Sequence, residues 1–138
     1  MKWRECGMGT HASKQLVQAY FEAINNTQLD ELAQLFADDA ELHFPMMDPI
    51  VGRAAIRQFY EGVLQFYPKR FDDARRFFFS EGGDVAVEIH FEGTTMEGKE
   101  VVFDAVDLFT IRGGQIRKLQ IFYDSAKVMQ MIGTLPQR

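Results

Sequence analysis

The chain has 138 residues, of which 46% are hydrophobic, and this size and composition fit one globular domain with a single core. A net charge of −5 disfavours binding to the phosphate backbone of nucleic acids. The lone cysteine, Cys6, leaves no internal disulfide, no apolar run is long enough to cross a membrane, and the N-terminus lacks the apolar segment of a signal peptide. We therefore expect a cytoplasmic protein that binds neither nucleic acid nor membrane.

Three helices are predicted in the first half of the chain, where apolar residues recur at helical spacing. The first is expected over 13–25, with Ser13 as its cap and a flexible segment over 1–12 before it. The second is expected to start after Thr27 as a capping residue and to end near Asp38. The third is expected over about 53–66, because Pro68 cannot continue a helix.

Apolar and polar residues alternate in the second half of the chain, which is the period of β-strands. Strands are predicted over 40–44, 70–80, 84–93, 100–112 and 115–123. Short glycine-containing links between the last four predict antiparallel neighbours. Asp124 is interpreted as the cap of a last helical turn that stops at Gly133, followed by a tail over 134–138. Helices followed by strands indicate one α+β domain over 13–133.

The predicted strand over 100–112 carries apolar residues on both faces. Val101 and Phe103 share one face with the acidic residue Asp107, whereas Val102 and Val106 share the other. We therefore expect the sheet to curve around a core on the first face and to pair with a second subunit on the other.

One basic cluster lies at the start of the predicted strand over 70–80. Lys69-Arg70 and Arg75-Arg76 are separated by Asp72-Asp73. The mixture of charges is interpreted as a solvated turn. The three histidines are far apart in the sequence and match no metal-ligand spacing, so no metal site is predicted.

Two segments of the chain carry a recognisable pattern, LDELAQLFADDA over 29–40 and GRAAIRQFY over 52–60. Both resemble the NTF2-like superfamily, and the nearest branches are the ketosteroid-isomerase-like and SnoaL-like (polyketide cyclase) proteins. The resemblance implies an α+β cone, in which a curved, mostly antiparallel sheet and N-terminal helices enclose an apolar pocket. It also implies a homodimer that packs through the outer sheet face, and chemistry that requires no cofactor.

The resemblance places two hydrogen-bond donors in the pocket. Tyr20 lies on the apolar stripe of the first helix, at the position of an oxyanion-binding Tyr in the isomerase family. Asp107 points into apolar surroundings, and a buried carboxylic acid that stays neutral can donate a hydrogen bond to an oxyanion, as in ketosteroid isomerase. The alternatives are a packing role for Tyr20 and a buried Asp107 satisfied by backbone or a Tyr hydroxyl.

The general base of the isomerase family is missing from its usual place. That base is an Asp just before the proline that ends the first short strand, and Phe44 occupies this position before Pro45. His43, because histidine commonly acts as a general base near neutral pH, and Asp48 in the following loop are the candidate replacements. The alternative for His43 is a solvated side chain with no catalytic role.

Ten residues are expected to line a pocket for a flat, mostly apolar ligand with one or two polar groups. They are Phe44, Phe59, Tyr60, Val87, Ile89, Phe91, Phe103, Leu119, Ile121 and Tyr123. Two functions are predicted from this pocket: an isomerase, cyclase or lyase that stabilises an enolate, or a protein that binds an apolar molecule without converting it. A third, protein interaction through the open sheet face, is disfavoured by the buried Asp107.

The epoxide-hydrolase branch of the superfamily needs two inward carboxylates flanking an Arg. The inward position on the last strand is Ile121, so that chemistry is disfavoured by the sequence. Asp124, which resembles an acidic residue of SnoaL-like proteins at the end of this strand, is expected to face away from the pocket.

Overall fold

The computed structural model describes residues 2–133, with side chains from Thr10 onward. The elements in chain order are α1 (Lys2–Asn25), α2 (Leu29–Gln34), β1 (Phe36–His43), β2 (Ile50–Val51), α3 (Arg53–Phe66), β3 (Lys69–Phe79), β4 (Val85–Thr94), β5 (Glu100–Arg112), β6 (Gln115–Tyr123) and α4 (Ser125–Ile132). Within these residues the strands form one open, curved sheet in the order β2-β1-β6-β5-β4-β3. Neighbouring strands are antiparallel except β1 and β6, which are parallel. The predicted α+β fold is confirmed.

Helix α1 is longer than the sequence pattern indicates. It begins at Lys2, so the predicted start at Ser13 is wrong. The Ser13 hydroxyl lies inside the helix and donates a 2.6 Å hydrogen bond to the carbonyl of Gly83 in the β3–β4 turn. The Ser13 side chain therefore makes a tertiary hydrogen bond and does not cap the helix. The flexibility of residues 1–12 stays a prediction, and the tail over 134–138 lies outside the described residues.

The second helix is shorter than predicted, because the chain enters β1 at Phe36 instead of at Ala40. Phe36 is fully buried, and its carbonyl accepts two hydrogen bonds from the Arg53 guanidinium, at 3.0 and 2.7 Å. Thr27 is not the cap of α2, since Gln28 takes that position without a side-chain bond. Thr27 has a positive φ of 57° and its hydroxyl accepts from Arg70 instead.

Helix α3, strands β3 to β6 and the end of α4 agree with the sequence prediction to within one residue. Helix α4 is capped as predicted, because the Asp124 carboxylate accepts a 3.1 Å bond from the backbone N–H of Lys127 and Gly133 ends the helix at φ 91°. The interpretation of the charged segment around Asp72 as a solvated turn is wrong: it belongs to β3, which pairs along its length with β4.

The core lies between the inner face of the sheet and helices α1, α2 and α3. On β5, Val101, Ala105, Asp107 and Phe109 are buried, whereas Val106 is 43% exposed on the outer face, so the predicted facing of this strand is confirmed. A smaller apolar cluster beneath α4 closes the other end of the sheet. Among the described residues, no helix has the length and apolar character needed to cross a membrane.

Candidate active site

A narrow cavity of about 80 Å³ lies between the inner sheet face and helices α1 and α3. Its lining residues are Tyr20, Ile24, Phe44, Phe59, Tyr60, Val63, Tyr67, Arg70, Asp72, Ile89, Phe91, Phe103, Ala105, Asp107, Ile121 and Tyr123. Eight of the ten residues predicted to line the pocket are among them. Val87 and Leu119 are not, because both are fully buried in the core between sheet and helices.

Two tyrosine hydroxyls meet at one side of the cavity. Tyr20 from α1 and Tyr60 from α3 share a hydrogen bond of 2.5 Å, and each residue is only 2% exposed. Burial raises the pKa of Tyr20 well above its ordinary value, and the neighbouring Tyr60 raises it further. Burial likewise raises the pKa of Tyr60. Both hydroxyls therefore stay protonated at neutral pH. One donates to the other, and when Tyr60 is that donor the Tyr20 O–H is free to donate into the cavity.

Asp107 brings an acid to the same cavity. It lies on β5 opposite Val87 of β4 and Ile121 of β6, and it is only 5% exposed. Burial raises its pKa well above the ordinary 3.8, and the negative charge of Asp72 adds to the shift. A protonated Asp107 can donate a hydrogen bond and can also release its proton. The sequence predicts this neutral, buried carboxylic acid.

Asp72 is the site residue that sequence reasoning missed. It lies on β3, and its backbone N–H and carbonyl are bonded to the side-chain amide of Asn25 at 2.9 and 3.0 Å, which fastens the strand to the end of α1. Its side chain is partly exposed, and it lines the cavity. Burial raises its pKa from 3.8 to about 6, an effect that the positive charge of Arg70 reduces. Asp72 is thus mostly ionised at pH 7 and can accept a proton.

Arg70, two residues before Asp72, is held rigidly at the rim of the cavity. Its Nη2 donates to the carbonyl of Ile24 at 2.6 Å and to the hydroxyl of Thr27 at 3.1 Å. Its Nη1 donates to the carbonyl of Tyr67 at 3.4 Å. Its Nε is buried and has no hydrogen-bond partner among the described residues.

The two candidate bases named from the sequence lie elsewhere. His43 is on the face of β1 opposite to the buried Leu42, where its Nε2 lies 3.0 Å from a carboxylate oxygen of Glu41. Asp48 is exposed in the turn between β1 and β2. Neither residue lines the cavity. Tyr20, Asp72 and Asp107 all line the cavity, whereas His43 and Asp48 do not.

A larger opening of about 670 Å³, which we call the outer cleft, lies between α3, α4 and residues 44–47. It shares five lining residues with the inner cavity: Phe44, Phe59, Val63, Tyr67 and Tyr123. The Phe44 ring contacts the rings of Phe59 and Tyr123, with centroids 5.0 and 5.7 Å apart. These aromatic side chains lie where the inner cavity adjoins the outer cleft, and both spaces are lined mostly by apolar side chains.

A separate open hollow of about 700 Å³ lies beside α2 and α3. Its two cations are already paired, Arg53 with Asp38 and Arg57 with Asp30, both at 2.7 Å. These pairs satisfy the charged groups of the hollow, so we place the functional site in the inner cavity. Among the described residues no group of three or more His, Cys, Asp or Glu side chains is arranged to hold a metal ion.

The argument that disfavours epoxide chemistry from the sequence does not hold in the structure. It rests on Ile121 as the inward residue of the last strand, and Ile121 does line the cavity. A second inward carboxylate nevertheless exists, because Asp72 reaches the cavity from β3, and Arg70 and Asp107 line it as well. Two carboxyl groups and an Arg therefore share one cavity.

An open curved sheet with helices over a cavity is the fold of NTF2-like proteins. The structure is similar to that of an NTF2-like protein of unknown function from Burkholderia pseudomallei, with a TM-score of 0.82 and 17% identity over 88% of this chain and 98% of that one. It is equally similar to a SnoaL-like polyketide cyclase (so assigned by similarity) from Jannaschia, with a TM-score of 0.82 and 17% identity over 92% and 95% of the two chains. The epoxide hydrolase/cyclase-like enzyme SalBIII, which has a role in pyran ring formation in the polyether salinomycin, shares 25% identity over 83% of this chain and 92% of its own, with a TM-score of 0.76.

The SnoaL-like domain family model matches residues 17–119, which is most of the chain. The chain therefore belongs to the SnoaL-like family, and the resemblance found in the sequence is confirmed.

Proposed function

We propose that this protein is an acid–base enzyme of the isomerase or cyclase type, acting on an apolar carbonyl compound. The observation that carries the proposal is the presence, in one cavity, of groups with very different proton affinities. Asp72, with a pKa of about 6, is available as a base, whereas burial favours the protonated forms of Tyr20 and Asp107. Such a separation of pKa values is what assigns acid and base roles in an active site.

In the proposed reaction, the Asp72 carboxylate removes a proton from the carbon next to the substrate carbonyl. The electron pair of the broken C–H bond forms a C=C bond, and the π pair of the carbonyl moves to its oxygen, which becomes an enolate oxygen. The hydroxyl of Tyr20 and the protonated carboxyl of Asp107 donate hydrogen bonds to it. Each such donor in a buried site contributes roughly 2.7–4 kcal/mol to lowering the barrier. The enolate then takes the proton back from Asp72 at another carbon, or its carbon attacks a second carbonyl carbon to close a ring, in which case the π bond of that carbonyl breaks and the alkoxide formed takes the proton from Asp72.

The apolar body of the substrate is expected in the outer cleft. The inner cavity of about 80 Å³ is much smaller than the roughly 300–1,000 Å³ of typical ligand pockets. The outer cleft adjoins it and is lined mostly by apolar side chains, including the exposed Met46, Met47 and Phe66. A ligand whose carbonyl reaches Tyr20 and whose apolar part lies against α3 and α4 fits both spaces.

A titration with 2-naphthol, whose phenolate resembles an enolate, tests the donor pair. We expect Tyr20→Phe and Asp107→Ala each to weaken binding by roughly 1–3 kcal/mol, because each removes a buried hydrogen bond to the bound oxygen. Fluorescence of 2-naphthol is the measurement. Asp104→Ala is the matched control, because Asp104 is an exposed residue of the same strand that contacts His90.

If wild type does not bind 2-naphthol, or if both variants bind it as well as the control does, the donor pair is not an oxyanion site. Binding that depends on both donors, without any turnover of enolisable ketones, would favour a protein that holds an apolar molecule without converting it.

Epoxide opening is the second candidate, and the shared cavity of Arg70, Asp72 and Asp107 favours it. The Asp107 proton would pass to the epoxide oxygen as its C–O bond breaks, while Asp72 takes the proton of the attacking hydroxyl. SalBIII, at 25% identity, is the relative that supports this alternative. Formation of a diol or cyclic ether from an apolar epoxide, with no exchange of ketone α-protons, would establish this candidate in place of the first.

We also propose a cytoplasmic homodimer that packs through the outer sheet face. Val106 on β5 and Phe122 on β6 are opposite each other on that face and are 43% and 53% exposed. Val106→Lys is expected to convert a dimer to a monomer, because an unpaired charge in an apolar interface is costly. Light scattering after size exclusion measures the mass, and Val51→Lys, at an exposed site on β2, is the control. A wild-type monomer, or a Val106→Lys dimer, would contradict this interface.

A further inference from the structure

Arg70 carries a buried donor that the proposed reaction does not use. Its terminal nitrogens are held by Ile24, Thr27 and Tyr67, so the guanidinium is fixed in place. The Nε is buried and has no acceptor among the described residues, although Arg70 lines the inner cavity. An unpaired buried donor is costly, and native proteins rarely leave one without an acceptor.

We propose that Arg70 Nε–H binds a second oxygen of the substrate, so that the substrate is an apolar compound with two separate oxygen functions. This inference rests on the proposed function, because the first oxygen is the one held by Tyr20 and Asp107. The second oxygen lies on the β3 side of the cavity, next to Asp72. Arg70 is thereby a specificity-determining residue for the reaction.

The charges around Arg70 favour a neutral second oxygen, such as a carbonyl or hydroxyl. Asp72 lies two residues away on the same strand and offsets the positive charge of the guanidinium. A ligand carboxylate would meet repulsion from Asp72, whereas a carbonyl or hydroxyl oxygen can accept the Nε–H bond without it. A second carbonyl would also acidify the C–H bond between the two carbonyl groups, which makes the proton transfer to Asp72 easier.

The test compares 2-naphthol, which has one oxygen, with dihydroxynaphthalene isomers that place a second hydroxyl at different positions on the same ring system. We expect at least one isomer to bind wild type about tenfold or more tightly than 2-naphthol, since a hydrogen bond to a charged donor is stronger than one between neutral groups. Arg70→Lys should abolish this gain, measured as the ratio of the two affinities within the same variant. Lys69→Gln is the matched control, because Lys69 is the adjacent exposed cation and does not line the inner cavity.

A measurement on wild type covers the case in which Arg70→Lys does not fold. The assigned Arg70 Nε–H resonance should shift and exchange more slowly with solvent when the favoured isomer binds, but not when 2-naphthol binds. The inference is overturned if no isomer gains over 2-naphthol, if the gain survives Arg70→Lys, or if the resonance does not respond to any isomer. If wild type binds 2-naphthol in a Tyr20-dependent way but no isomer binds more tightly, this inference fails and the proposed function stands. If wild type does not bind 2-naphthol at all, both are overturned.

Discussion

Asp72→Asn is expected to lower the rate of proton exchange next to a substrate carbonyl by about 10²–10⁴-fold, which is the usual contribution of a general base. The amide keeps the shape of the side chain but cannot accept the proton. Binding of 2-naphthol should change little, because the donors Tyr20 and Asp107 remain. The loss would therefore fall on the chemical step and not on binding.

Incorporation of deuterium at the α-carbon of 2-tetralone, an apolar bicyclic ketone, in D₂O measures this step, with the uncatalysed exchange subtracted. Asp73→Asn is the matched control, because Asp73 is the next residue on β3 and its carboxylate accepts a 3.0 Å bond from Arg75 outside the cavity. The wild-type rate should rise with pH through about 6 as Asp72 ionises and then level off. Equal exchange in wild type and Asp72→Asn would remove Asp72 from the mechanism, and a loss in His43→Ala instead would return the role to the residue named from the sequence.

The positions of Tyr20 and Asp107 in the cavity were predictable because periodicity orients both side chains. Asp107 is on the same face of its strand as Val101 and Phe109, and a helical stripe places Tyr20 toward the sheet. Both orientations follow from local patterns that hold whatever the neighbouring elements do. Most of the apolar lining could be predicted for the same reason.

The position of Asp72 in the cavity was not predicted, because the residues around it come from distant parts of the chain. In sequence it lies among four cations and beside a second Asp, a composition typical of a solvated segment. In the structure Asn25 binds its backbone, and the pairing of β3 with β4 shifts register between Ala74 and Arg76. Neither the contact with α1 nor the irregularity is visible in the local pattern. The alternation of Arg70, Asp72 and Ala74 on one face was the available signal.

The errors at Ser13 and Thr27 have the same physical cause. Both residues have the chemistry of a helix cap, but each uses its hydroxyl in a tertiary hydrogen bond, to Gly83 and from Arg70 respectively. Local propensity identifies groups able to cap a helix, and long-range packing decides where their hydrogen bonds go. The cap at Asp124 was predicted correctly because its acceptor and donor are only three residues apart.

Asp72→Asn is also expected to stabilise the protein at pH 8, by up to about 3 kcal/mol, since its pKa rises from 3.8 to about 6 on folding and one pKa unit corresponds to about 1.36 kcal/mol. The raised pKa means that folded Asp72 binds more protons than unfolded Asp72 between these two values. The free energy of unfolding of wild type therefore falls as the pH rises from about 4 to 6 and stays lowered above that. Asparagine has no charge to desolvate, so the gain should be present at pH 8 and absent at pH 4.

Urea unfolding of wild type, Asp72→Asn and the control Asp73→Asn at pH 4 and pH 8 measures this difference. Some loss of stability with rising pH should remain in Asp72→Asn, because Asp107 also has a raised pKa. If Asp72→Asn is less stable than wild type at pH 8, the Asp72 carboxylate is held by favourable contacts and is not a base kept free for substrate. A variant that gains stability while losing proton exchange would show that the fold carries an ionised Asp72 at a cost in stability because the reaction requires it.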